Sequence, residues 1–296
     1  MSREYPKLIQ PLGIVHESQE PASEPQDSLT ADAGGNVAPE LRQVPVEEIE
    51  IEPTSRIVFQ SDPQGLAADR FRFLRMRLRE LWDAGKLKRV LITSPLPEDG
   101  KSTVSLNLAT ALAERGRNTV LLLEADLHHP TLLAKLGAKA GPGLAQCLEC
   151  GSNPLSLLRR IEPLGWYLLP AGDPSASPGG LLHGEVFAKL LQTLSPYFDW
   201  ILIDSPPVLP IADAPAMLRH VDTSLVVVRA GRTPSDAVDA AIKTLGNKHV
   251  LGVILNGMEG VERLYSKYST YYHRYSRPAG DERKSRPNRQ LGNQST

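Results

Sequence analysis

The chain has no apolar run long enough to cross a bilayer, since no stretch approaches ~18 apolar residues without a charge. Its first residues, MSREYPKLIQPLG, lack the apolar core of a signal peptide. Cysteine is nearly absent. Two residues, Cys147 and Cys150, cannot build a disulfide framework, which points to a reducing cytoplasm. Their C-L-E-C spacing could be a redox motif or half of a zinc or iron–sulfur site shared across a dimer. The chain has no further cysteines to complete four ligands, so GLAQCLECG reads as a short helix with two small, partly buried residues. Net charge is also nearly absent, at −1 over 296 residues, which removes any global argument for nucleic acid or membrane. Aromatic residues make up only 5% of the chain, yet five of its eight tyrosines crowd into 265–275.

The charge that is present is unevenly placed. Glu17, Glu20, Glu24, Glu47, Glu48, Glu50 and Glu52 make the beginning acidic. Arg263, Lys267, Arg274, Arg277, Arg283, Lys284, Arg286 and Arg289 make the end basic. Residues 1–55 are rich in Pro, Glu, Gln, Ser and Ala and are expected to form a disordered or extended arm, because they cannot bury enough apolar surface to offset ordering. A helix is expected at 66–84, where Leu66, Phe71, Leu74, Leu78 and Trp82 form one apolar stripe among arginines.

From residue 88 onward, short apolar runs alternate with helical stretches. The runs are 89–94, 118–125, 165–172, 199–204, 223–230 and 249–256, and the clearest helices are 102–113, 187–194 and 235–245. Continuous apolar strands imply a sheet covered on both faces, and strand–helix alternation implies parallel βαβ units. The fold class is α/β, a mostly parallel sheet flanked by helices over 56–260, followed by a basic, tyrosine-rich tail at 261–296.

SPLPEDGKST (94–103) lies between an expected strand and an expected helix. Backbone N–H groups there can face an anion, Gly100 permits close approach, Lys101 can reach phosphates and Ser102 can offer its hydroxyl to Mg²⁺. The strict phosphate-loop pattern fails at its first position, Pro95. Glu124 and Asp126 end one strand and Asp204 another, on the rim where α/β proteins bind ligands. Three carboxylates there suit Mg²⁺ held partly through water. His128 and His129 read as surface residues, because imidazole is a poor Mg²⁺ ligand.

The tyrosines are Tyr265, Tyr268, Tyr271, Tyr272 and Tyr275. A buried helical stripe is disfavoured by the Ser, Lys, Thr, His and Arg between them. Aromatics interleaved with basic residues also suit single-stranded nucleic acid. As phosphate acceptors, each would add about −1.5 to −2 charge and could reverse the sign of the segment.

In order along 50–275, these motifs resemble the bacterial tyrosine autokinases of capsule and exopolysaccharide synthesis, a P-loop NTPase-like family. S-x-x-P-x-x-G-K-S at 94–102 looks like the family's Walker A, E-A-D-L at 124–127 like its second acidic motif, and I-D-S-P-P at 203–207 like its Walker B. LPAGDPSASPGGLL (169–182) and VLGVILNG (250–257) also resemble family segments. The resemblance implies nucleotide contacts from Pro97, Glu98, Asp99, Gly100, Lys101, Ser102, Thr103, Arg229 and Asn256. It implies Mg²⁺ at Ser102, Asp126 and Asp204, and Glu124 as the base for an incoming tyrosine. Asp69, Arg72 and Arg75 resemble the family's ring-forming helix motif, which implies a ring-like homo-oligomer phosphorylating tails in trans. A membrane polysaccharide copolymerase as activator, a cognate tyrosine phosphatase and a cytoplasmic location against the inner membrane face are likewise implied, with no nucleic-acid partner.

Departures from the family pattern are Glu98 for Gly, Asp99 for Glu, Glu124 for Asp, His128 for Arg and Asp69 for Glu. Two carboxylates in a loop that receives a polyanion require both to point outward. Competing readings are a weakly active or inactive scaffold and a partition or positioning ATPase. The latter group carries a signature lysine where this chain has Leu96.

Overall fold

The computed structural model describes residues 37–51, 56–173 and 178–258. They build one sheet of eight strands: β1 (Val46–Glu48), β2 (Arg89–Thr93), β3 (Val120–Glu124), β4 (Arg159–Glu162), β5 (Trp166–Leu169), β6 (Trp200–Asp204), β7 (Thr223–Arg229) and β8 (Val250–Asn256). The strand order is β1-β4-β5-β3-β6-β2-β7-β8. Every neighbouring pair is parallel except β4 with β5, so the expectation of a mostly parallel sheet is met.

Strand residues alternate in direction, and here both directions are buried. Val90 and Ile92 of β2 face one core with Val120, Leu122, Leu202 and Val227. Leu91 faces the other with Leu121, Leu123, Ile201, Ile203, Val226 and Val228. The first core is closed by α2 (Leu66–Asp83) and α3 (Lys101–Ala113). The second is closed by α5 (Leu144–Cys150), α6 (Glu185–Leu194), α7 (Asp213–Met217) and α8 (Ser235–Leu245). Two short helices, α1 (Val58–Ser61) and α4 (Leu132–Leu136), complete the set.

Helix α3 is buried nearly all round, because it lies between the sheet and α2. Its Asn107 accepts the Val58 N–H at 2.8 Å and donates to Arg56 O at 2.9 Å, stitching the entering chain to the phosphate-loop helix. In α2, Leu78 is buried while Phe71, Leu74 and Trp82 pack at the core edge, as the stripe requires. Leu66, at the first position of that helix, is 40% exposed and lies outside the stripe's contact.

One expectation is corrected. Residues 37–51 lie within the 1–55 arm, but they carry a 3-10 turn at Pro39–Gln43 and strand β1, which pairs with β4. Leu41, Val44 and Ile49 are buried, and Glu47 pairs with Arg159 at 2.9 Å. Their apolar residues are too sparse to make a core alone. They gain order by joining a core that the rest of the chain supplies. Strand β4, Arg-Arg-Ile-Glu, is equally unreadable locally because three of its four residues are charged.

The C-L-E-C segment is helical, as expected: it lies in α5, with Cys147 buried and Cys150 exposed. Burial pushes the Cys147 thiol up to about 11, which disfavours its thiolate. Among the described residues, no helix is long and apolar enough to cross a membrane.

Candidate active site

The loop after β2 delivers the chain into α3 through Gly100, whose φ of 97° lies in the left-handed region. A Cβ there would collide with Asn256 Nδ2 and displace that side chain, and the positive φ strains any residue other than glycine. No side chain caps α3, which leaves its first N–H groups without a side-chain acceptor, the arrangement that binds anions.

Glu98 and Asp99 behave oppositely, so the expectation that both point outward holds for one only. Glu98 adopts a φ of 64° and points out, meeting Arg232 at 2.7 Å. Asp99 is 3% exposed and points inward: it accepts the Leu96 N–H at 3.0 Å and the Thr233 hydroxyl at 2.6 Å. Its charge is spent holding the loop against the turn that follows β7. Asp99→Ala is therefore expected to lower stability by about 1–3 kcal/mol, the usual cost of stranding buried donors. Thermal denaturation checks this, and an unchanged midpoint would refute it.

Lys101 opens α3 and reaches Asp126 Oδ2 at 2.8 Å. Burial alone would lower its pKa, but Asp204, Asp126 and Glu124 outweigh that and hold it above the usual lysine value. Asp204 ends β6 in register with Ile92 of β2, so sheet pairing itself sets it beside the loop. Ser105 Oγ lies 2.9 Å from both Asp204 Oδ1 and Lys101 O, and its single proton serves one at a time. Asp204 Oδ2 is buried and makes no hydrogen bond among the described residues, although the Ser102 hydroxyl lies near enough to stabilise the carboxylate. Burial raises the Asp204 pKa, against the pull of Lys101 and of the Ser102 and Ser105 hydroxyls.

Asp126 Oδ1 accepts the His129 N–H at 3.0 Å, which fixes the turn after β3. Glu124, in register with Asp204, has both oxygens engaged by backbone. Oε1 accepts from Thr131 N and Leu132 N at 2.6 Å each, and Oε2 accepts from Ala171 N at 3.2 Å. It thus ties α4 and the segment after β5 to the sheet. Burial raises its pKa despite these three donors. It also borders a cavity of about 870 Å³, lined by Leu133, Pro142, Gln146 and Gly172 among others.

Arg229 and Asn256 pair at the ends of β7 and β8. Asn256 Nδ2 donates to Asp99 O at 3.0 Å, which makes it a buttress of the phosphate loop. Pro97 and Thr103 lie on the same loop and helix start, Pro97 exposed and Thr103 half-buried. On α2, Arg72 pairs with Asp69 at 2.7 Å, while Arg75 turns to Ala111 O and Glu114 at 3.3 Å each. Tyr265, Tyr268, Tyr271, Tyr272 and Tyr275 lie outside the described residues.

One cluster escaped the sequence reading. Asp213, 2% exposed, receives His128 Nε2 at 3.1 Å and His183 Nε2 at 2.8 Å on its two oxygens. This joins the turn after β3 to α7 and to the 3-10 turn Pro178–His183. The partners are 85 and 30 residues apart, with no spacing pattern to announce them. His129 is exposed, as expected, whereas His128 is half-buried in this contact.

No family model matches the sequence. The chain is 32% identical over 180 residues to the tyrosine-protein kinase CpsD of Streptococcus pneumoniae serotype 4, covering 59% of this chain and 78% of that protein. It is 28% identical over 217 residues to the tyrosine-protein kinase YwqD of Bacillus subtilis, covering 73% of this chain and 89% of YwqD. The succinoglycan biosynthesis transport protein ExoP of Rhizobium meliloti is 30% identical over 234 residues, but the chain spans only 30% of it. Other relatives are similarly longer, with 26–32% of their length spanned. Among solved structures, the kinase domain of Escherichia coli tyrosine kinase ETK superposes with a TM-score of 0.64 at 26% identity, over 68% of this chain and 79% of that one. With the ordered motifs placed on one sheet edge and more than three quarters of a 32%-identical relative covered, the chain belongs to the bacterial tyrosine-protein kinase family.

Proposed function

We propose that this chain is an ATP-dependent protein-tyrosine kinase whose acceptors are its own tyrosines at 265–275, acting between copies of the chain. The observation that carries the reading is the pairing of Lys101 with Asp126 at 2.8 Å beside a buried, unpartnered Asp204 oxygen, at the open start of α3. An unpartnered buried carboxylate oxygen is costly unless a cation meets it. The donor set therefore fits Mg²⁺ with a nucleotide.

Lys101, Ser102, Thr103 and the first N–H groups of α3 would hold the β and γ phosphates, with Arg229 and Asn256 flanking the nucleotide. Ser102, Asp126 and Asp204 would hold Mg²⁺ directly or through water. Mg²⁺ usually keeps several waters and binds through one or two carboxylates with substrate phosphates, which this donor set can supply. Bound Mg²⁺ supplies charge neutralisation on the phosphates. The chain's own contribution is positioning and electrostatics, which suffices for phosphoryl transfer.

Glu124 is the proposed proton acceptor for the incoming tyrosine hydroxyl. Oε2, with the single 3.2 Å bond to Ala171, is the less committed oxygen. Its raised pKa favours taking a proton, while the Oε1 bonds keep the carboxylate in place. Because Glu98 is turned out onto Arg232 and Asp99 inward, neither carboxylate stands against a bound polyanion.

The same reading assigns Asp69, Arg72 and Arg75 to association between copies in a ring. The name of the ExoP relative, a succinoglycan biosynthesis transport protein, supports a role in exopolysaccharide synthesis. The same reading adds a membrane copolymerase that activates the chain from the inner membrane face and a phosphatase that resets it. The test is intact mass before and after ATP and Mg²⁺, in the wild type and with the five tyrosines changed to phenylalanine. Phosphate-sized additions, lost in the phenylalanine variant, are expected. Additions that survive that variant would move the acceptor elsewhere.

A further inference from the structure

Strand β8 is the edge of the sheet, paired among the described residues only with β7. Its side chains alternate, and one set stays uncovered: Leu251 is 39% exposed, Val253 49% and Leu255 52%, with Met258 following at 47%. Val253 and Leu255 pair with Val226 and Val228, which are buried in the core that α8 closes. Paired residues of parallel strands share a face, so the uncovered strip lies beside α8. A contiguous apolar strip on an edge strand is a surface that normally has an occupant.

We propose that the strip seats the chain's own segment 261–272, docked as a helix beside α8. Val261, Leu264, Tyr265, Tyr268, Tyr271, Tyr272 and Tyr275 follow the i, i+3, i+4, i+7 spacing of one helix face. What that face lacks within the tail is aliphatic partners, and the strip offers four. The lengths agree: Leu251 to Leu255 spans roughly 13 Å of strand, and residues 261–271 span roughly 15 Å of helix. Gly257, at a φ of 67°, turns the chain at the end of β8. Residues 258–260 then match the short connections common between strands and helices. Charge agrees as well, since Asp236 and Asp239, exposed on α8, can meet Arg263 and Lys267 of the segment.

Docking does not rest on the kinase reading, although its consequence does. Tyrosines laid against the strip are withheld from any phosphoryl donor, and a phosphate of about −1.5 to −2 charge on that face opposes re-docking.

Hydrogen–deuterium exchange of the full chain, without ATP, tests the docking. Amides of 261–272 are expected to exchange about 10-fold or more slower than an unstructured peptide, independently of protein concentration. Val253→Asp with Leu255→Asp is expected to return them to the unstructured rate. Leu264→Asp should do the same from outside the sheet, so a folding defect in the strand variant cannot mimic the result. Unstructured rates in the wild type, or protection that survives both variants, would overturn the proposal. Protection that grows with protein concentration would also overturn it, assigning the strip to a second copy. No arm uses ATP, so failure here leaves the kinase reading standing.

Discussion

Lys101→Met is expected to abolish phosphotyrosine on the tail, with transfer falling by about 10²–10³ or more, the scale seen when a preorganised charge donor is removed. Among the described residues Lys101 is the cation bonded to Asp126, at 2.8 Å, and it is the Coulombic partner that most opposes the raised pKa of Asp204. Methionine keeps most of the apolar stem and removes the ammonium, with its charge and its bond to Asp126. Two buried carboxylates then lose their counter-charge, and breaking such a pair costs about 3–5 kcal/mol when no other cation arrives. The nucleotide-free variant should therefore also melt earlier than the wild type. Quantitative phosphotyrosine detection after ATP and Mg²⁺, read beside thermal denaturation, separates the two effects. Activity within about tenfold of wild type would remove Lys101 from the site.

Asp204→Asn is expected to lower transfer by about 10²-fold and to change how stability depends on pH. The folded-state pKa of Asp204 is raised above its ordinary value, burial being the main cause. A group that holds its proton more tightly when folded favours folding when protonated. Its contribution is thus present at low pH and is lost as pH rises from about 4 through the raised folded value. Glu124 acts in the same direction, again through burial. Lys101, raised as well, stays charged in both states well below its ordinary pKa and adds no slope there. In the nucleotide-free protein, stability should fall as pH rises across this window. Asp204→Asn should flatten that fall without abolishing it, because Glu124 remains. Melting temperatures at several pH values provide the measurement, and an unaltered slope would show that Asp204 does not titrate as its burial demands.

How much of this was legible locally varies by element. The runs at 89–94, 118–125 and 199–204 appear as β2, β3 and β6 because continuous apolar stretches can serve only a sheet covered on both faces. The helix expected at 102–113 begins one residue earlier, at Lys101, since Gly100 alone supplies the left-handed turn into it. Strand β1 was not legible, because Leu41, Val44 and Ile49 bury themselves only against a core made elsewhere. Asp213 was not legible either, since a carboxylate between two histidines from distant segments exists only once the sheet has set their order.

The sequence by itself determined the alternation of strands and helices, the phosphate loop with Lys101 and Ser102, and the rim position of Glu124, Asp126 and Asp204. These follow from periodicity and from residue chemistry within a few positions. The tertiary structure decided which way each side chain turned. Glu98 points out and Asp99 in because their partners, Arg232 and Thr233, lie 134 residues away. Glu124 is braced by Thr131, Leu132 and Ala171, donors brought to it by the packing of α4 and the return after β5. Asp204 bonds Ser105 through one oxygen, and its other oxygen makes no hydrogen bond among the described residues, because β6 lies beside β2 and sets the carboxylate against the start of α3. Hydrogen-bond partners of a buried charge are set by strand order and helix docking, and neither is written within reach of the residue itself.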